Sequence, residues 1–174
     1  MSEPARPQGI EHKHIHDAKG SIFRRWPFGL VALAVVLAPA FFGVYGRTAT
    51  LVGAGPEVRF TVAGPRRIRN GEYLEIILNI EAQSRVKETV VLVGASLFRD
   101  ITVNTLLPSP AEEGFRDDSF EFRFGLLDAG ERLEVKIDAQ INPHHTPSAN
   151  EGAIAVADGE IVLAKVDYVI EVLP

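Results

Sequence analysis

The sequence predicts an all-β domain of roughly seven to eight antiparallel strands, packed as a two-sheet sandwich behind one N-terminal transmembrane helix. Three observations carry that expectation. From Glu57 onward, apolar and polar residues alternate with a period of two, the mark of half-buried strands. Turn signals such as Gly64-Pro65, Asn70-Gly71 and Asp158-Gly159 separate the runs at the roughly 8–12-residue spacing of sandwich strands. Ahead of them, no charged side chain lies between Arg25 and Arg47. An eight-stranded barrel fits less well, because no run of equal-length hairpins is visible.

Residues 1–25 are polar, with scattered Pro and Gly and little periodicity, which predicts a disordered tail. His12, His14 and His16 alternate within it and would share one face of an extended segment. Imidazole ligates transition metals, but no further ligand is fixed nearby, so no metal site is assigned. Residues 26–46 read as the membrane anchor. The apolar run is about 20 residues long, which as a helix spans roughly the 30 Å of a bilayer's hydrocarbon core. Trp26 and Tyr45 bracket it, where amphipathic rings favour the headgroup level. Pro39 removes one helical hydrogen bond and predicts a kink. Lys19, Arg24 and Arg25 crowd the N-terminal flank, so the positive-inside rule puts the tail in the cytoplasm and the β-domain outside. The alternative is a signal peptide cleaved after Ala40, at the A-x-A-like site Ala38-Pro39-Ala40. Residues 47–56, small and closed by Pro56, read as a linker.

Residues 57–174 carry the strands. Val58, Phe60 and Val62 alternate in the first. Leu74, Ile76, Leu78 and Ile80 do so in the second. Val86 to Leu97 is a third β-rich stretch, bent at Gly94, and Ile101, Val103 and Thr105 mark a fourth. Pro108 to Asp118 reads as an acidic loop. Phe120, Phe122 and Phe124 share one face of a fifth strand and are expected to be the heaviest core contribution. Leu133, Val135 and Ile137 give a sixth, and Asn142 to Asn150 a loop. Ala153 to Ala157 and Glu160 to Leu173 flank the hairpin signal Asp158-Gly159.

Composition narrows the function. The net charge of −5 is unevenly divided: residues 1–25 carry five basic and three acidic side chains, residues 47–174 carry 13 and 20. An acidic exported domain is a poor match for nucleic acid or anionic lipid. Absence of cysteine excludes disulfides, thiol chemistry and thiolate metal sites. No N-x-[ST] sequon is present, which together with the missing disulfides fits a bacterial envelope protein.

Two segments, Arg69-Asn70-Gly71-Glu72-Tyr73-Leu74-Glu75 and Leu127-Asp128-Ala129-Gly130-Glu131-Arg132-Leu133-Glu134, resemble bacterial immunoglobulin-like ectodomain modules. In those a Gly-Glu turn opens each of two core strands. The resemblance implies an immunoglobulin-like sandwich and a single-pass membrane protein, and little about activity.

The candidate sites are few. Glu112, Glu113, Asp117 and Asp118 form an acidic cluster of the kind that suits calcium, without EF-hand spacing. His144 and His145 sit in a proline-flanked loop fit to meet a partner. Arg66, Arg67 and Arg69 form a basic turn that would contact an acidic partner or a polyanionic envelope polymer. No nucleophile–base set, zinc motif or phosphate loop is present, so no enzyme activity and no cofactor is expected. The expected role is a membrane-anchored binding or accessory module of the cell inner membrane. Its periplasmic or extracellular domain would contact another envelope or membrane protein. An envelope sensor is the weaker alternative, because the tail is too short for a signalling domain.

Overall fold

The computed structural model describes residues 18–41, 48–143 and 148–173. The chain divides into two compact units, Met1–Val44 and Tyr45–Pro174.

In the first unit, helix α1 runs over Ala18–Phe41. It starts inside the stretch expected to be disordered. Lys19, Arg24 and Arg25 are good helix formers, so the apolar run propagates back through them. From Phe28 to Leu37 its large apolar side chains are exposed. Among the described residues, no helix is long and apolar enough to cross a membrane. The described part of the apolar run, Trp26 to Phe41, covers only about 24 Å as a helix. The expected anchor continues through Phe42 to Tyr45, outside the described residues.

The second unit is all-β, with eleven strands among the described residues rather than seven to eight. They are β1 (Thr48–Ala54), β2 (Val58–Pro65), β3 (Arg67–Arg69), β4 (Tyr73–Ala82), β5 (Val86–Gly94) and β6 (Ile101–Leu107). Then follow β7 (Glu112–Arg116), β8 (Ser119–Leu127), β9 (Arg132–Ile141), β10 (Ser148–Asp158) and β11 (Ile161–Leu173). One sheet has the order β1-β2-β4-β9-β6 and the other β3-β11-β10-β5-β8-β7. All pairings are antiparallel except β3 with β11.

The additional strands lie where small or charged residues hid the alternation. The expected linker over 47–56 contains β1, which pairs with β2 from Thr48↔Pro65 to Ala54↔Arg59. Gly53 faces Phe60 there, and a Cβ at that position would collide with the ring. The expected acidic loop contains β7, held to β8 from Glu112↔Arg123 to Arg116↔Ser119. The loop expected over Asn142 to Asn150 already contains the start of β10.

The core fills the space between the two inner faces. Phe60, Ile76, Leu78 and Ile137 from one sheet meet Val91, Val93, Ile154 and Tyr168 from the other, all without solvent contact. The phenylalanine row of β8 is not the heaviest part of it. Phe122 is buried and Phe124 half-buried, but Phe120 is exposed at the sandwich edge. In β6 a register shift between Val103 and Thr105 changes which side chains face in. Leu106, opposite buried Ile137, takes the inward place that alternation assigned to Thr105.

Strands β4 and β9 are central neighbours, and each opens with the same turn. Glu72 N–H donates to Arg69 O (3.2 Å), and Glu72 Oε2 accepts from Arg69 N–H (3.1 Å). Glu131 repeats both bonds with Asp128, at 3.0 and 2.8 Å. Gly71 (φ 79°) and Gly130 (φ 84°) occupy the positive-φ position of a type II turn. Each strand also ends on the other's turn: Ile141 N–H donates to Glu72 O and Ala82 N–H to Glu131 O. The strand pair therefore has local two-fold symmetry. At the distal hairpin Asp158 pairs with Ile161, leaving Gly159-Glu160 as the loop, with Gly159 at φ 59°.

Tyr168 is fully buried, and its hydroxyl donates to Pro65 O at 2.9 Å. Burial pushes its pKa well above the ordinary 10.0, slightly opposed by Arg66. Above pH 10 the unfolded chain releases this proton while the folded chain keeps it. Stability should therefore hold below pH 10 and then fall by about 1.4 kcal/mol per pH unit until the folded group ionises. Denaturant melts from pH 9 to 11 should show that slope, and Tyr168→Phe should lose this component. An unchanged slope in the variant refutes the assignment.

Candidate functional site

The sandwich is open along one side. One sheet ends there at β6 and the other at β7. Between them lies a cleft of about 430 Å³, lined by Phe98, Val103, Leu106, Phe120, Phe122 and Glu113. Its wall is aromatic. Phe98 and Phe120 have ring centroids 5.9 Å apart at 41°, and Phe115 meets Phe120 edge-on at 5.3 Å and 71°. Phe115, Leu107 and Val103 are solvent-exposed, giving this edge an apolar surface.

The β5–β6 loop positions Phe98. Successive turns bond Leu97 N–H to Gly94 O, Phe98 N–H to Ala95 O and Ile101 N–H to Phe98 O. Buried Asn150, on β10, holds the loop from beneath. Its Nδ2 donates to Leu97 O at 3.2 Å and to Arg99 O. Ser96 Oγ donates to Glu151 O at 2.5 Å. Leu97 is fully buried against Gly152, where an added Cβ would lie 2.8 Å from Leu97 Cβ.

Pairing parity sorts the charges of β7 and β8. Glu113 and Phe115 lie opposite Phe122 and Phe120, so they share the cleft face. Glu112, Gly114 and Arg116 lie on the outer face with Arg123 and Glu121. There Arg123 meets Glu88 at 2.7 Å and also bonds Glu121, whose carboxylate is nearly buried. Arg116 reaches Glu160 at 3.2 Å and Glu121 at 3.8 Å. The hydrogen bond to Glu88, aided by the charge of Glu121, pushes the Arg123 pKa further up against partial desolvation. The outer face is thus a closed charge network. Glu113 has no ion pair among the described residues, and its side chain is exposed at the cleft mouth.

Of the sequence-derived candidates, Glu113 alone among the described residues lines this cleft. Asp117 and Asp118 form the β7–β8 turn, at φ 48° and 58°, while Glu112 and Glu113 point to opposite faces. Among the described residues no three His, Asp or Glu side chains are placed to hold a metal ion. Arg67 is held by Glu171 at 2.7 Å on the short strand β3, with Arg66 and Arg69 exposed beside it. That strand lies at the far edge of its sheet from β7. His12, His14, His16, His144, His145 and Tyr45 lie outside the described residues; Trp26 and Pro39 lie within α1. Sequence reasoning missed Phe98, Phe115 and Asn150. Phe115 was visible only as an apolar residue inside an acidic run, the one signal that pointed to a strand there.

No family model matches this chain, and no curated protein matches it. Several solved structures are similar. AvmM, which catalyses macrocyclization in alchivemycin A biosynthesis, aligns at TM-score 0.42 and 9% identity, over 67% of this chain and 88% of its own. The GAE domain of GGA2p from Saccharomyces cerevisiae aligns at 0.37 and 10%, over 74% and 98%. A Niemann-Pick type C2 protein from the Japanese carpenter ant aligns at 0.38 and 9%, over 74% and 99%. Likeness at this level carries nothing about activity, substrate or partner.

Proposed function

We propose that this chain is a membrane-anchored binding module whose immunoglobulin-like sandwich contacts another envelope or membrane protein. The observation that supports it is the open, aromatic-lined edge between β6 and β7, beside a carboxylate without an ion pair among the described residues. An apolar cleft with few polar groups is a binding surface, and aromatic side chains dominate binding energy at interfaces. The apolar run beginning at Trp26 is the anchor in this reading, with the N-terminus cytoplasmic and the sandwich periplasmic or extracellular. The role is non-enzymatic and needs no cofactor.

The test is fractionation followed by capture. The full chain should pellet with membranes, resist alkaline carbonate, and come into solution only with detergent. Crosslinking before extraction should then recover a membrane or envelope protein with it. A carbonate-soluble chain, or a mature mass starting at Phe41, removes the anchor. Repeated recovery of the chain alone removes the binding role.

A further inference from the structure

Strand β7 is the edge strand of the six-stranded sheet. On this side the two sheets end at β7 and β6. The β7 residue Phe115, on the cleft face opposite Phe120, is 61% exposed. Among the described residues the edge strand β6 pairs only with β9, and no strand is paired to its outer edge. Its inward residues Val103 and Leu106 line the same cleft as Phe120 and Phe122. An added strand would lie about 4.8 Å beside β6, the ordinary spacing of neighbouring strands, with alternate side chains facing the cleft.

We infer that this cleft takes one extended, apolar and basic segment of a partner protein as an added strand beside β6. The inference rests on the binding-module reading and specifies how the module engages. Strand addition supplies main-chain hydrogen bonds along that edge and pockets for alternate side chains. The apolar side chains of the segment would cover Phe115, Phe120 and Val103. Charge selects the remainder. Glu113 faces the cleft without an ion pair among the described residues, and residues 47–174 carry 13 basic and 20 acidic side chains. A lysine or arginine on the incoming segment would meet Glu113, and an acidic residue would be repelled. On the opposite side β1 packs against β11, and Gly53 there accommodates the Phe60 ring.

The experiment uses the full chain in detergent micelles and three synthetic peptides of about ten residues, the upper range of natural strand length. One alternates valine with lysine and threonine. The second carries glutamate for lysine, and the third is the first with alternate backbone amides N-methylated. The basic peptide should slow amide exchange across Ile101 to Leu107 by about tenfold or more, a reading of local opening. The acidic and N-methylated peptides should not, and Glu113→Lys should transfer the preference to the acidic peptide. Equal binding of the N-methylated peptide would mean that the cleft takes apolar groups without strand pairing, and overturns the inference. So does protection at β1 or β3, or the same protection appearing on self-association without peptide. If a crosslinked partner is still captured while β6 stays unprotected, the inference fails and the binding-module reading stands.

Discussion

Asn150→Asp should cost about 3–4 kcal/mol and lower the melting temperature by roughly 10–15 °C. Asn150 is buried, and its amide nitrogen serves two carbonyl oxygens, Leu97 O and Arg99 O. A carboxylate there donates nothing and faces both carbonyls with a negative charge, in a place that water does not relieve. The functional consequence follows from the loop. Without the tie, the turns that carry Phe98 lose their support, and the cleft loses one aromatic wall. Thermal denaturation by circular dichroism measures the first effect. Amide exchange across Ala95 to Ile101, at a temperature where the variant is folded, measures the second. A melting point within two or three degrees of the parent would show that Asn150 does not organise the loop.

Phe60→Ala should cost about 3–5 kcal/mol, because it removes a ring buried on every side. The ring fills the space above Gly53 on β1 and stands opposite Ile80 of β4. Its removal opens a cavity that the two flanking strands cannot close. Gly53→Ala is the complementary change. In the parent its methyl collides with the ring, and in the Phe60→Ala background it enters the vacated volume. The two substitutions should therefore be strongly non-additive, with the double variant more stable than the sum of the single losses predicts. Urea denaturation of the four proteins measures this. Additive losses would show that Gly53 and Phe60 are not packed as one unit.

Much of the sandwich was legible from period and punctuation. Leu74 to Ile80 and Leu133 to Ile137 alternate cleanly, and they form the two central strands, β4 and β9. Both Gly-Glu segments are turns that open those strands. What stayed hidden has physical causes. Strand β1 is built from small residues and one valine-leucine pair, so its sequence looks like a spacer. Strand β7 carries Glu112 on its outer, charged face and Glu113 on its cleft face, so only Phe115 betrayed an apolar inner side. The bulge in β6 displaced Thr105 by Leu106, a change no strict period of two can express. The cleft itself depends on which strands end each sheet. Strand order is set by long-range pairing, and that information is spread over the whole domain rather than written in any local run.

The two-fold arrangement of β4 and β9 acts as a detent. Each strand is fastened at its start by its own glutamate and at its finish by the turn carbonyl of its neighbour. Sliding one strand past the other by a single residue releases both fastenings together, and turns every inward side chain of the displaced strand outward. The centre of that sheet has one permitted alignment, so the ends of the sandwich are free to vary in length and composition without shifting its middle.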